Sequence, residues 1–133
     1  MKIFAHRGVS GHYPENTLQA IQAALDCGVY GIEIDVFAVD GELIVIHDRQ
    51  LQRTTKTAGN IEDYSLAQLQ QLDAGNGQRI PTLWQVLALV NNQSVLNIEL
   101  KGHDTADLLV DLLQRASLQL GTDCSRLLIS SFH

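Results

Sequence analysis

Short runs of Val, Ile, Leu and Phe recur along the chain, and each carries a charged or ionisable residue inside it or at its end. They are Ile3-Phe4-Ala5-His6, Gly31-Ile32-Glu33-Ile34-Asp35-Val36, Leu43-Ile44-Val45-Ile46-His47 and Val95-Leu96-Asn97-Ile98-Glu99-Leu100. These runs predict strands over 2–5, about 31–38, about 42–47 and 95–100, with a last strand over 126–132. Between them the apolar spacing turns helical. A helix begins at Thr17, capped by Asn16, with Leu18, Ile21, Ala24 and Leu25 on one face, and stops at Cys27-Gly28. Helices over 65–72 and about 82–90 start at the caps Ser65 and Thr82, and an amphipathic helix over about 105–120 ends at Gly121. Strands alternating with helices of this length predict parallel βα units, hence an α/β barrel or a doubly wound sheet.

One connection departs from that rhythm. Only eleven residues separate Asp35 from His47, with Asp40-Gly41 between two alternating runs. A parallel crossover needs a dozen or more residues, so the second and third strands are expected to form an antiparallel hairpin. A two-residue Asp40-Gly41 turn would set His47 opposite Ile34, on the wrong face for Glu33 and Asp35. A three-residue loop, Val39-Asp40-Gly41, would set it opposite Glu33. The three-residue loop is the expectation, because that register gathers the ionisable groups. The last strand ends the sequence without a covering helix. The chain is therefore expected to be cut short after about the fifth strand, or completed by another chain.

At 133 residues the sequence fits one domain, 1–133. Its 45% hydrophobic and 18% charged residues are ordinary for a soluble protein, and no apolar stretch is long enough to cross a bilayer. The first residues lack the apolar core of a secretion signal. Cys27 and Cys124 are too few for a disulfide scaffold or a zinc site, which points to a reducing, cytoplasmic compartment. Cys27 is expected to pack on its helix. A formal charge of −6 argues against a nucleic-acid partner. A negative protein acting on an anionic substrate must neutralise it locally, with a metal or a few basic residues.

Ionisable side chains inside apolar runs are costly to bury unless paired or bound to a metal. Glu33 and Asp35, two apart on a strand, point the same way and repel unless a cation lies between them. An E-x-D pair on its own is more often two edge carboxylates balanced by Lys or Arg. The apolar Ile32, Ile34 and Val36 on the opposite face favour the cation. Oxygen-only ligands suit Mg²⁺ or Ca²⁺, and Glu99 could supply a third oxygen. His6 and His47 are the natural proton carriers. Arg7 offers a charged fork to a phosphate and Lys101 a second cation. Asp48 either holds a histidine in its tautomer or caps the turn.

The same residues carry a family resemblance. His6-Arg7-Gly8, Pro14-Glu15-Asn16-Thr17, Glu33-Ile34-Asp35-Val36, Asp40-Gly41, His47-Asp48, Arg53-Thr54-Thr55, Leu72-Asp73-Ala74-Gly75, Ile80-Pro81-Thr82-Leu83 and Asn97-Ile98-Glu99-Leu100-Lys101 occur in this order. The chain resembles the glycerophosphodiester phosphodiesterases in all of them. That resemblance implies a TIM barrel with its site at the C-terminal strand ends. It implies Glu33, Asp35 and Glu99 as ligands of Mg²⁺ or Ca²⁺, His6 and His47 as general acid and base, and Arg7 and Lys101 as phosphate contacts. The implied reaction is hydrolysis of a small-molecule glycerophosphodiester to sn-glycerol 3-phosphate and an alcohol, with water or the substrate's own 2-hydroxyl as nucleophile. One alternative is a related phosphodiesterase of the phospholipase D or phosphoinositide type, which would share the metal and the histidines and differ in the pocket; a shortened, inactive domain is the other.

Overall fold

The computed structural model describes residues 2–131. Five strands and five α-helices follow one another along it: β1 (Phe4–His6), α1 (Leu18–Asp26), β2 (Gly31–Val39), β3 (Glu42–Val45), α2 (Gln52–Thr55), α3 (Leu66–Leu69), α4 (Leu83–Val90), β4 (Val95–Leu100), α5 (Thr105–Gln119) and β5 (Leu127–Ser131). Four strands form a parallel series in the order β1-β2-β4-β5, and β3 pairs antiparallel with β2 off that path. The expected last strand reaches Ser131, and Phe132 lies outside the described residues. Among the described residues no helix is long and apolar enough to cross a membrane.

Alternation along the strands separates two faces. Ile32, Ile34, Val36, Leu96, Ile98 and Leu100 point to one side and are buried against α1, α4 and α5 through Ile21, Ala24, Val86, Leu87, Leu109 and Leu112. The opposite face carries His6, Glu33, Asp35, Asn97 and Glu99. A second apolar cluster, Val39, Ile44, Ile46, Leu51, Ile61, Leu69 and Ile80, packs the hairpin against the segment that follows it. The parallel series ends openly at β5, where Leu128 and Ile129 are exposed.

Local chemistry explains the element boundaries. Thr17, rather than Asn16, caps α1: its Oγ1 accepts from Ala20 N at 3.2 Å. Ser65 and Thr82 cap α3 and α4 as expected, each inside a reciprocal box with the glutamine three residues on. The α3 helix stops at Leu69, short of the expected Leu72, and α2 was not anticipated, because a single turn leaves no periodicity to read. Cys27 is exposed, as is Cys124, and does not pack on its helix as expected. It lies one step past the end of α1, where the chain turns away at Gly28.

The hairpin register also differs from expectation. Val39 pairs with Glu42 and Val36 with Val45, so the turn has two residues, Asp40 and Gly41. Both are left-handed, at φ 51° and 77°. That is the mirror-image turn whose twist matches the flanking strands, and Asp-Gly suits it. The Asp40 carboxylate also accepts from Leu66 N at 2.8 Å, which ties the turn to α3.

Two glycines test how far backbone conformation supports this fold. Gly41 has φ +77° and open space around a notional Cβ, whereas at Gly8 (φ +79°) a Cβ would lie 2.7 Å from the Ala20 backbone. Gly41→Ala should cost about 1 kcal/mol, from the left-handed backbone alone. Gly8→Ala should cost clearly more, because α1 must also shift. Urea unfolding midpoints of the two variants check the order.

Candidate active site

β1 and β3 lie end to end along one edge of β2. β1 runs parallel and ends with His6 opposite Glu33, and Arg7 N donates to Glu33 O at 2.7 Å. β3 comes from the other direction, and Ile46 N donates to Asp35 O at 3.0 Å. Both strands therefore finish beside the carboxylates of β2, and the chain leaves the ladder with His47 as the next residue. On the other edge of β2, Glu99 of β4 is in register with Asp35.

The three carboxylates meet. Glu33, Asp35 and Glu99 each place an oxygen within 4.8 Å of the others. Asp35 is fully buried, and the other two are half-buried. Asp35 Oδ1 and Glu33 Oε1 are buried without a hydrogen-bond partner. Burial, with the neighbouring charges of Asp35 and Glu99, pushes Glu33 up to about 7. Burial and the neighbouring Asp35 carboxylate raise Glu99 as well. An all-oxygen set with two bare, buried oxygens and mutually repelling charges is chemically fitted to a hard divalent cation.

The expected cations and histidines surround this group. His6 Nε2 lies 3.0 Å from Glu33 Oε2. Arg7, at φ 57°, points its Nε toward Asp35 Oδ2 at 3.6 Å and its Nη1 to both Glu15 oxygens at 3.3 Å. Lys101 Nζ is 3.8 Å from Glu99 Oε2. His47 stands within electrostatic reach of both Glu15 and Glu99. Its Nδ1 lies 2.6 Å from Asp48 Oδ1. Hydrogen bonds from Arg53, then the one from His47, hold Asp48 down at about 2. An ionised Asp48 can only accept, so Nδ1 carries the proton and Nε2 is left free to exchange one. Of the two roles open to Asp48, the geometry therefore supports holding the histidine.

Three further residues build the site. Asn16, taken from sequence as a helix cap, is buried and left-handed; its Nδ2 donates to Asp35 Oδ2 at 3.2 Å and its Oδ1 accepts from Asp35 N at 3.4 Å. Glu15 and Arg53 form an ion pair at 2.6 Å beside Arg7 and Asp48. Adjacency to Thr17 concealed Asn16; nothing in the spacing marked Glu15 or Arg53 as partners across thirty-eight residues. Beyond Asp35 on the same strand, Phe37 borders a cleft of about 660 Å³ also lined by Arg49, Tyr64 and His103. That volume suits a small ligand.

Comparison with known proteins identifies the family and the fold. The model of the glycerophosphoryl diester phosphodiesterase family matches residues 6–133. The chain belongs to that family. It is 41% identical to a glycerophosphodiester phosphodiesterase of Bacillus altitudinis, across 99% of this chain and 58% of the relative. It is 44% identical to one from Caldanaerobacter subterraneus, across 74% of this chain and 44% of that protein. Among solved structures, an Oleispira antarctica phosphodiesterase in complex with the product sn-glycerol-3-phosphate superposes at a TM-score of 0.87, with 35% identity over 100% of this chain and 58% of that one. A glycerophosphodiester phosphodiesterase from Agrobacterium tumefaciens gives 0.84, with 34% identity over the same shares. The fold is thus that of a TIM barrel, of which this chain carries four consecutive parallel strands. It spans roughly half the length of these relatives.

The raised Glu33 has a consequence for stability. Free Glu titrates near 4.5, and Glu33 in the fold near 7. Between these values the unfolded chain gives up the proton while the folded chain keeps it, so stability falls as pH rises through that window. The loss is on the order of 3 kcal/mol in all. In the presence of a chelator, Glu33→Gln should raise the melting temperature at pH 8 and leave it nearly unchanged at pH 4.5. Thermal melts at both pH values check this.

Proposed function

We propose that this chain carries the metal-holding and proton-transferring part of a glycerophosphodiester phosphodiesterase, releasing sn-glycerol 3-phosphate and an alcohol. The observation that carries the reading is the convergence of Glu33, Asp35 and Glu99 within 4.8 Å, with His6 and the Asp48-held His47 beside them. The product complex of the similar Oleispira antarctica phosphodiesterase supports the same substrate class.

In this reading Glu33, Asp35 and Glu99 hold Mg²⁺ or Ca²⁺, and Asn16 fixes the Asp35 carboxylate from behind. When bound, such an ion neutralises charge developing on a phosphoryl oxygen. Arg7 and Lys101, which rest on carboxylates here, supply the positive charge for the phosphate. One imidazole takes the proton of the nucleophile and the other protonates the leaving alkoxide. Asp48 confines the exchangeable site of His47 to Nε2. Glu33, 3.0 Å from His6 Nε2, orients the other ring. The cleft beyond Phe37 gives room for the remainder of the substrate.

His6→Ala and His47→Ala should each lower turnover of glycerophosphocholine by roughly two to four orders of magnitude. Release of glycerol 3-phosphate is the measurement, and parent rates from both variants would overturn the assignment. Saturating Mg²⁺ or Ca²⁺ should raise the melting temperature, by an amount equivalent to about 2.7 kcal/mol at a hundredfold excess over Kd. Asp35→Asn should abolish that gain.

A further inference from the structure

We infer that Arg53 is a positioning residue that sets two groups of the site at once, His47 through Asp48 and Arg7 through Glu15. Arg53 lies on the one-turn α2, outside the strand tips, and half of its side chain is exposed. It nevertheless makes four hydrogen bonds to two carboxylates. Nε and Nη2 reach Asp48 at 2.6 and 3.0 Å, and Nη1 and Nη2 reach Glu15 at 2.6 and 3.0 Å. Asp48 belongs to the loop after β3, and Glu15 to the loop after β1. A single guanidinium therefore spans the two loops that deliver His47 and Arg7.

The segment bearing Arg53 is itself fixed. Leu51 is fully buried, its N donates to Gly59 O at 3.0 Å, and Thr55 Oγ1 donates to Leu51 O at 2.7 Å. The two carboxylates depend on that anchor. Burial alone would raise Glu15, and Arg53, with help from Arg7, brings it below its ordinary value. Arg53 grips both oxygens of Asp48 and so fixes the direction in which Oδ1 meets His47 Nδ1 at 2.6 Å; a carboxylate free to rotate away would no longer hold the proton of His47 on Nδ1.

The bond lengths on Glu15 are unequal in a useful way. Arg53 holds it at 2.6 and 3.0 Å, whereas Arg7 touches both oxygens from one nitrogen at 3.3 Å. Arg7 is thus the loosely held partner. If Arg7 turns towards a phosphate, Glu15 keeps Arg53 and is not left as a buried, unpaired charge. Lysine could not substitute. Its single ammonium cannot grip two carboxylates with paired hydrogen bonds.

The kinetic consequence rests on the phosphodiesterase reading, but two readouts do not require turnover. One is the imidazole ¹⁵N shifts of His47 at pH 8, which report its tautomer. The other is the affinity for inorganic phosphate. In the parent, His47 should be a single Nδ1–H tautomer. Arg53→Met should mix the tautomers and weaken phosphate binding roughly tenfold, the scale on which outer-shell partners act at metal sites. Arg53→Lys should move at least one of the two readouts. Arg115→Met, which breaks a surface ion pair with Asp111 on α5, should move neither. Unchanged tautomer and unchanged phosphate affinity in Arg53→Met overturn the inference. Should that variant fail to fold, Arg53→Lys decides: a shift in either readout supports the role, and none overturns it. Absence of hydrolysis by the parent would count against the enzymatic reading and leave this test intact.

Discussion

Electrostatic crowding on β2 governs the architecture of this chain. Asp35 is buried completely, with Glu33 on its own strand and Glu99 in register on the next. Packing three acids into one apolar-backed spot opposes folding unless each charge is answered. The surroundings supply those answers at unequal strength. Asn16 binds Asp35 through both side chain and backbone, Arg7 and Lys101 stand at 3.6 and 3.8 Å, and two oxygens stay bare. The helix-facing side of the sheet is uniformly apolar, and its burial offsets what the other face costs.

The second organising feature is the shared edge of β2. β1 arrives from one direction and β3 from the other, so their ends bring His6 and His47 to neighbouring positions. Two histidines far apart in sequence thereby flank the acids without a long loop. Behind them, the second apolar cluster holds the segment that carries Asp48 and Arg53. The polar network is therefore anchored at its outer end by packing and at its inner end by the sheet.

Much of this was legible in the residues. Apolar runs interrupted by ionisable side chains located β2 and β4 closely, because a charge kept inside such a run has few structural alternatives. Capping residues marked α3 and α4 for a similarly local reason. The hairpin register differs from the expectation because that expectation requires His47 to reach the site from within the ladder. The chain instead leaves the ladder at Ile46, and a histidine outside it is released from the face rule. Asn16 reads as a helix cap in the sequence because an Asn beside a helix start usually caps it; its bond to Asp35 is tertiary and leaves no local trace. The Glu15–Arg53–Asp48 contacts escaped for the same cause, and the exposure of Cys27 shows how one residue past a helix end escapes the packing of its last turn.

The antiparallel run of β3 also acts as a ruler. From the Asp40-Gly41 turn, six residues, Glu42 to His47, measure the distance back to the acids. Removing two of them would keep every side chain on its proper face yet carry the imidazole about 7 Å away from Glu33. Removing one would turn the whole strand inside out. Spacing in this hairpin is consequently constrained in length as tightly as the acids are constrained in chemistry.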